Sequence, residues 1–381
     1  MTSKSRYALM ALVLVAAAVV IGYFVTHRST DSSAITIGAV LPLTGDLSNY
    51  SVASRKALEL ALEQQNAKGG INGRKLALTV EDSRGVAAQA VSAFNKLVDV
   101  NHAVACVGPI TSPEVLSVAP VANQKHVSII SPSSTSVDIT KAGPYVFRTI
   151  NVDSIETTAF AAYVNHDLHI TTVGILADQA AGTMSYANSF AKYFAAQGGT
   201  VAITEVLPQG SLDYRSSISK VLAKKPAALY LAGVSNEIGE LVRQIRSIDP
   251  QIPLLSYQSA EDKRVVEIAG DSVNGLVFSS TTLPESALGA AHATFASDFS
   301  KKFGEQPGIF GAESYDAFNI VAEALRRCGD DTSKLATCIG QTSKFPGASG
   351  EITFDENGDV HKPIAFYRYS NKAPVVLGVG K

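Results

Sequence analysis

The chain has 381 residues, 46% hydrophobic and 17% charged, with a formal net charge of −2 at pH 7. That length exceeds one ordinary core, so two domains are the natural expectation. The near-zero charge gives no basic field for nucleic acid and no acidic tail, and neither low-complexity tracts nor solenoid repeats occur.

The N-terminus reads as a targeting segment. Lys4 and Arg6 precede an uncharged apolar run, Tyr7 to Val25, followed by His27 and Arg28. A positive flank before an apolar run is export logic. Ser32-Ser33-Ala34 offers small residues for cleavage. Export with cleavage is the favoured reading, and an uncleaved membrane anchor is the alternative, because the run is nearly long enough to span a bilayer. No cysteine follows the leader to carry a lipid.

The first strand is expected at Ile35, Ile37, Ala39 and Leu41. A hydroxyl-rich loop follows, with Thr44, Ser48, Asn49, Tyr50 and Ser51. The next helix carries Ala57, Leu58, Ala61 and Leu62 on one face, with Arg55, Glu59 and Glu63 towards water. Gly69-Gly70 stops it, Asn72-Gly73 turns the chain, and a second strand runs to Glu81-Asp82. Strand, helix, strand without a hairpin is a parallel crossover. A Gly-rich fingerprint is missing from the first turn, so this is no nucleotide cradle.

Alternation continues: a helix over Val86 to Val98, strand Ala103 to Val107, helix Glu114 to Asn123 and strand Val127 to Ile130. A new series starts after Arg148 to Asp153. It has strands at Thr172 to Leu176, Thr200 to Val206, Ala228 to Ala232 and Pro253 to Ser256, with helices between them. Two βα series of similar size predict an α/β protein of two doubly wound, Rossmann-like domains. Helices Ala290 to Phe303 and Ala312 to Arg327 follow. After them come strand-like GEITF and PIAFYRY, joined by an Asn-Gly turn. Cys328 and Cys338 flank a short loop, and a disulfide there fits an oxidising compartment; Cys106, in AVACVG, reads as a small core residue.

An ordered set of phrases resembles the periplasmic substrate-binding proteins of the Leu/Ile/Val-binding type, which deliver solutes to ABC importers. These are IGAVLPLTG, NAKGGINGRKL, VEDSRG, VGPITS, ISPSST, VFRTINVD, GDSVNGLVFSS and ITFDENGD. The resemblance implies a type I periplasmic binding protein with a three-crossover hinge and a ligand cleft between lobes. Residues 1–34 would be the export signal or anchor. Residues 35–151 plus 282–354 would form the first lobe, and 152–281 plus 355–381 the second. It implies no enzyme activity, cofactor or metal. The partners implied are a small amino acid or carboxylate ligand and an inner-membrane permease, with a monomer in the periplasm.

Six residues carry the expected site. Ser112, before Pro113 and Glu114, reads as a helix N-cap and, at a helix start, as a carboxylate site. Ser133 and Thr135 lie in a polar turn after a parallel strand, where ligands of open α/β sheets sit. The resemblance makes Ser112 and Thr135 grip a carboxylate, Ser133 offer its carbonyl to an ammonium, and Tyr50 cover the ligand. Asp153 opens an Asp-x-x-Glu capping box with Glu156 and matches a cleft aspartate. Gln258 stands where the family's amino-acid binders have the glutamate that meets the ammonium. Ala181-Gly182-Thr183 and Val234 replace two pocket tyrosines, with Tyr186 close by. These departures weaken Leu, Ile or Val in particular and leave room for another amino acid, an amide or an aromatic acid.

Other readings are set aside. A membrane-anchored sensor on the same fold is the alternative function, and a Rossmann-type enzyme lacks its glycine fingerprint. Leu41 to Gly45 spells a sortase signal in the wrong place. Asp355 to Asp359 has its glycine too early for an EF-hand and predicts a hairpin turn. His166 and His169 lack further ligands at zinc spacing. Ser112, His126 and Asp138 lack a nucleophile elbow.

Overall fold

The structure, a computed structural model, describes residues 34–45, 47–208, 211–284 and 288–380. Tyr7 to Val25 lies outside the described residues. None of the described helices is long and apolar enough to cross a membrane.

The first half alternates β1 (Ile35–Leu41), α1 (Ser48–Ala67), β2 (Leu76–Asp82), α2 (Ala87–Asp99), β3 (Ala105–Val107), α3 (Ser112–Lys125), β4 (Ser128–Ser131) and β5 (Val146–Arg148). The strands make a parallel sheet in the order β2-β1-β3-β4-β5. Packing is tight at its centre: a Cβ on Gly38 of β1 would lie 2.6 Å from the Cys106 sulfur. Cys106 is wholly buried, and desolvation pushes its thiol up to about 12.

The chain then leaves this sheet for α4 (Asp153–His166), β6 (Thr172–Ala177), α5 (Ala181–Ala196), β7 (Thr200–Val206), α6 (Arg215–Leu222), β8 (Ala228–Ala232), α7 (Ser235–Ile248), β9 (Leu254–Ser256), α8 (Lys263–Ala269) and β10 (Val277–Ser280). It returns through α9 (Ala290–Phe303), α10 (Gly308–Cys328), α11 (Thr332–Gly340), β11 (Phe345–Gly347) and β12 (Gly350–Ile352). It crosses once more to end in β13 (Ile364–Ser370) and β14 (Ala373–Gly380). The second sheet has the order β14-β13-β10-β9-β8-β6-β7. Three passages therefore join two doubly wound units, after β5, β10 and β12. That is the type I periplasmic binding protein architecture.

The returning segment completes the first core. Phe318, Val321 and Leu325 of α10 bury beside Leu58 and Ala61 of α1. Gln65 donates to Asn319 across the same helix pair at 2.6 Å. A disulfide joins Cys328 at the end of α10 to Cys338 in α11, ten residues on.

Three local expectations are corrected. The hydroxyl-rich loop after β1 is mostly the first turn of α1, which starts at Ser48. Its polar side chains are largely committed within the protein: Ser51 donates to the Pro42 carbonyl (2.6 Å), Thr44 to the Asp82 carboxylate (2.6 Å), and the Tyr50 hydroxyl meets Ser235. GEITF and PIAFYRY do not pair with each other. β12 pairs with β11, whereas β13 is antiparallel to β10 and β14. Asn357-Gly358 consequently turns the chain within the third passage instead of closing a hairpin. Asp355 accepts the Asn357 and Asp359 amides there, and the Gly358 carbonyl accepts from Arg148. A backbone bridge between Asn151 and Val360 sets the first and third passages side by side.

Candidate functional site

A cavity of about 180 Å³ lies between the two sheets, lined from both sides at the carboxyl ends of their strands. Its first wall begins with β3. Gly108 has φ of +88°, and a Cβ there would sit 2.3 Å from the Val40 carbonyl oxygen, so only glycine admits this turn. The chain then runs through Ile110 and Thr111 into α3.

Thr111, not Ser112, is the cap of α3. The buried Glu114 carboxylate accepts from the Thr111 amide at 3.1 Å and from its hydroxyl at 2.6 Å. Ser112 is the first residue of the helix. Its oxygen takes only a long bond from the Ser136 amide (3.4 Å) and faces the cavity. The expectation of a Ser112 cap fails because Thr111 is one position better placed to meet Glu114. This leaves the Ser112 hydroxyl for a ligand, at a helix end whose amides favour anions.

The turn after β4 is stitched to this segment. Ser131 donates to the Pro109 carbonyl (2.7 Å), while Ser133 (2.5 Å) and Ser134 (2.9 Å) both donate to that of Ile110. From beneath, the wholly buried Arg148 donates to the carbonyls of Ser136 (2.8 Å) and Ser134 (3.3 Å), to the Thr140 hydroxyl, and to Asp359 at 2.5 Å. The turn that presents Ser133 and Thr135 is thus fixed to the third passage by an ion pair. Sequence reading missed Arg148. Its position at the end of an apolar strand, before the first passage, was the available signal.

The second wall comes from the other sheet. Tyr186 of α5 donates to Glu156 (2.5 Å), and Gln258 donates to the Tyr186 oxygen (2.8 Å). The other Glu156 oxygen accepts the Gln258 amide (3.1 Å) and the Ser279 hydroxyl (2.6 Å), and Thr281 donates to the Gln258 carbonyl (3.3 Å). Desolvation pushes Glu156 up to about 7, its donors pulling the other way. The anticipated capping box from Asp153 to Glu156 is therefore absent. Val152 takes the cap position without a side-chain bond. Glu156 instead faces inward, because it shares the buried stripe of α4 with Phe160 and Val164. A carboxylate at the spacing of that apolar stripe was the sign that went unused.

Tyr50, Ser112, Ser133, Thr135 and Gln258 all line the one cavity. Asp153 does not. Its amide donates to the Thr135 carbonyl (2.9 Å), but neither carboxylate oxygen has a hydrogen-bond partner among the described residues. Burial pushes it up to about 6, against the pull of the nearby Ser185 hydroxyl and the Arg148 charge. Leu47, Ile110, Tyr257 and Phe310 add apolar surface, and Tyr50 packs on Phe310 with ring centroids 5.2 Å apart.

The walls touch across the cleft. The Tyr50 hydroxyl meets Ser235 at the start of α7, and a Cβ on Gly182 of α5 would lie 3.3 Å from the Ser112 oxygen. The imagined triad does not form: Ser112 and His126 stand at opposite ends of α3, about 20 Å apart at 1.5 Å per residue.

Residues 34–374 match the model of a family described as periplasmic binding protein. The chain belongs to that family, in its Leu/Ile/Val-binding branch. It is 27% identical over 332 residues to the Leu/Ile/Val-binding protein BraC3 of Rhizobium johnstonii, covering 86% of this chain and 89% of the relative. Among solved structures it is similar to a leucine-binding protein of Thermotoga maritima, with TM-score 0.86, 27% identity, and 91% and 98% of the two chains covered. It is also similar to a branched-chain amino acid binding protein of Streptococcus pneumoniae in complex with isoleucine, with TM-score 0.84, 26% identity, and 91% and 99% covered. Family membership and these relatives make it a periplasmic solute-binding protein.

Proposed function

We propose that the protein is the solute-binding component of an ABC import system and carries an amino acid or related small carboxylate without altering it. The observation that carries this reading is the cavity closed between two walls, with the Ser112 and Thr135 hydroxyls at the anion-favouring start of α3. The named ligands of the relatives above support the same class. Ser112 and Thr135 hold the carboxylate, the Ser133 backbone and Gln258 meet the remaining polar groups, and Tyr50 covers the ligand. Asp153 acts at the hinge, away from ligand contact.

The lobes we assign are residues 35–151 plus 282–354 and residues 152–281 plus 355–381. Ligand shifts them towards closure because only the closed form offers contacts from both. The protein works as a monomer in the periplasm and delivers to an inner-membrane permease, with residues 1–34 as the export signal, or as a tether if uncleaved. Calorimetry of the purified protein against amino acids, amides and aromatic acids tests the reading. A saturable ligand recovered chemically unchanged after hours supports it, and turnover proportional to protein concentration overturns it.

A further inference from the structure

Among the described residues that line the cavity, none carries a charge. Carboxylates stand behind the lining: Glu114 accepts from Thr111, Asp178 from Thr183 and Glu237 from the Val234 amide. Glu156 already has three donors, from Tyr186, Gln258 and Ser279. Asp153 is buried outside the lining. The orientation of the Gln258 amide follows from the same network. Tyr186 spends its one proton on Glu156, so its oxygen must accept from the Gln258 nitrogen, and the Gln258 carbonyl is taken by Thr281. What remains for the cavity is the second N–H of that amide, a donor, and one lone pair on its carbonyl oxygen, both uncharged.

An ammonium placed against this wall would give up water for neutral acceptors alone, with no counter-charge in the lining, which is unfavourable. A carboxylate at the opposite wall finds two hydroxyls and the start of α3. Between the two ends lie Tyr50, Leu47, Ile110 and Phe310, which suit an apolar or aromatic body.

Building on the reading of this cleft as a small-carboxylate site, we propose that its ligand is a monocarboxylate without an ammonium group, whose far end is apolar or presents an uncharged acceptor to Gln258. Such a ligand uses the first wall as the family's amino-acid binders would, and replaces their charge pair at the second wall with a neutral hydrogen bond.

The test is calorimetry of the purified protein with compounds paired by skeleton: leucine with 4-methylpentanoate, phenylalanine with 3-phenylpropanoate, and 4-aminobenzoate with 4-hydroxybenzoate as an aromatic control lacking an α-ammonium. In the first two pairs the deaminated member should bind at least tenfold more tightly wherever binding occurs, or an aromatic acid should bind where no amino acid does. Gln258→Glu should weaken every monocarboxylate that binds at pH 8 and narrow or reverse the preference. Tighter binding of leucine or phenylalanine than of its partner overturns this inference while leaving the carboxylate-cleft reading intact. If no compound bearing a carboxylate binds, including a broad amino-acid set, both fall.

Discussion

The Tyr50 hydroxyl lies 2.9 Å from the Ser235 oxygen and accepts the Ser235 amide at 3.0 Å, so a phenol on α1 holds the first turn of α7 across the cleft. Burial pushes this phenol up to about 12, which keeps its proton in place. Ser235 also donates to the Ser259 carbonyl next to Gln258 (3.2 Å). One contact therefore connects the cover of the cavity to its far wall. Tyr50→Phe keeps the ring against Phe310 and removes only this link. A neutral hydrogen bond contributes about 0.5–1.5 kcal/mol net, so ligand affinity should drop roughly two- to tenfold, mostly through faster release. Stopped-flow release measurements check this, and an unchanged release rate would show that the contact does not favour closure.

Ser112→Ala and Thr135→Ala should each weaken binding of a carboxylate about ten- to hundredfold, since hydrogen bonds to charged groups contribute about 1.5–3 kcal/mol. Because Thr111 and Glu114 cap α3, Ser112→Ala should leave the melting temperature almost unmoved. Calorimetry and melting curves on both variants decide the matter. Full affinity in both would mean that the carboxylate does not sit at this wall.

The alternation of β1, α1 and β2 was readable because each buried face repeats at its own period, and the same held for β6 through β9. The pocket's first wall was readable through local chemistry, with hydroxyls after β3 and β4. Of the second wall only Gln258 was placed, through the resemblance, with Tyr186 noted close by; the network behind them was not legible, because its logic is non-local. Glu156 meets Gln258 and Ser279 more than 100 residues away, and Arg148 meets Asp359 at a separation of 211. A sequence pattern assigned Glu156 to a cap, although its spacing with Phe160 and Val164 already put it on the inward face of α4. β14 escaped notice because Val375, Val376 and Val379 lie on an edge strand with one proline and two glycines, without a clean alternation.

Arg148 and Asp359 form a buried pair, and removing one partner strands the other charge. Asp359→Asn should destabilise the protein by about 3–5 kcal/mol. It should also loosen the turn carrying Ser133 and Thr135, so that residual folded protein binds ligand less tightly. Denaturant melts with parallel calorimetry test both statements. A loss below about 1 kcal/mol would contradict the stitched-turn account.

Cys328 and Cys338 should be found linked in protein recovered from an oxidising compartment, with Cys106 reduced and unreactive until unfolding. Reduction should cost roughly 2–3 kcal/mol on the chain-entropy estimate for so short a loop. Non-reducing peptide mapping reads the linkage directly, and alkylated, separate Cys328 and Cys338 peptides would refute it.

Glu156 and Asp153 give stability a defined pH dependence. Both are carboxyls raised by burial, to about 7 and about 6, above ordinary values of 4.5 and 3.8. A raised acid holds its proton more tightly in the folded state. Its contribution is complete below the unfolded value and is lost as pH rises through the folded one. The melting temperature should therefore fall from pH 5 to pH 8. Carboxyls held low, such as Asp82 and Asp355, titrate below this window, whereas Glu237 and Glu313, which burial also pushes up to about 7, add to the same fall. For Glu156 the span corresponds to about 3 kcal/mol at most, at 1.36 kcal/mol per unit. Glu156→Gln cannot titrate, and its amide meets donors where the carboxylate accepted, so it should be less stable at every pH and show a flatter slope. Melting curves at half-unit steps compare the two slopes. Parallel curves from pH 5 to 8 would mean that Glu156 stays ionised behind Tyr186 and Gln258 throughout, with its three donors outweighing burial.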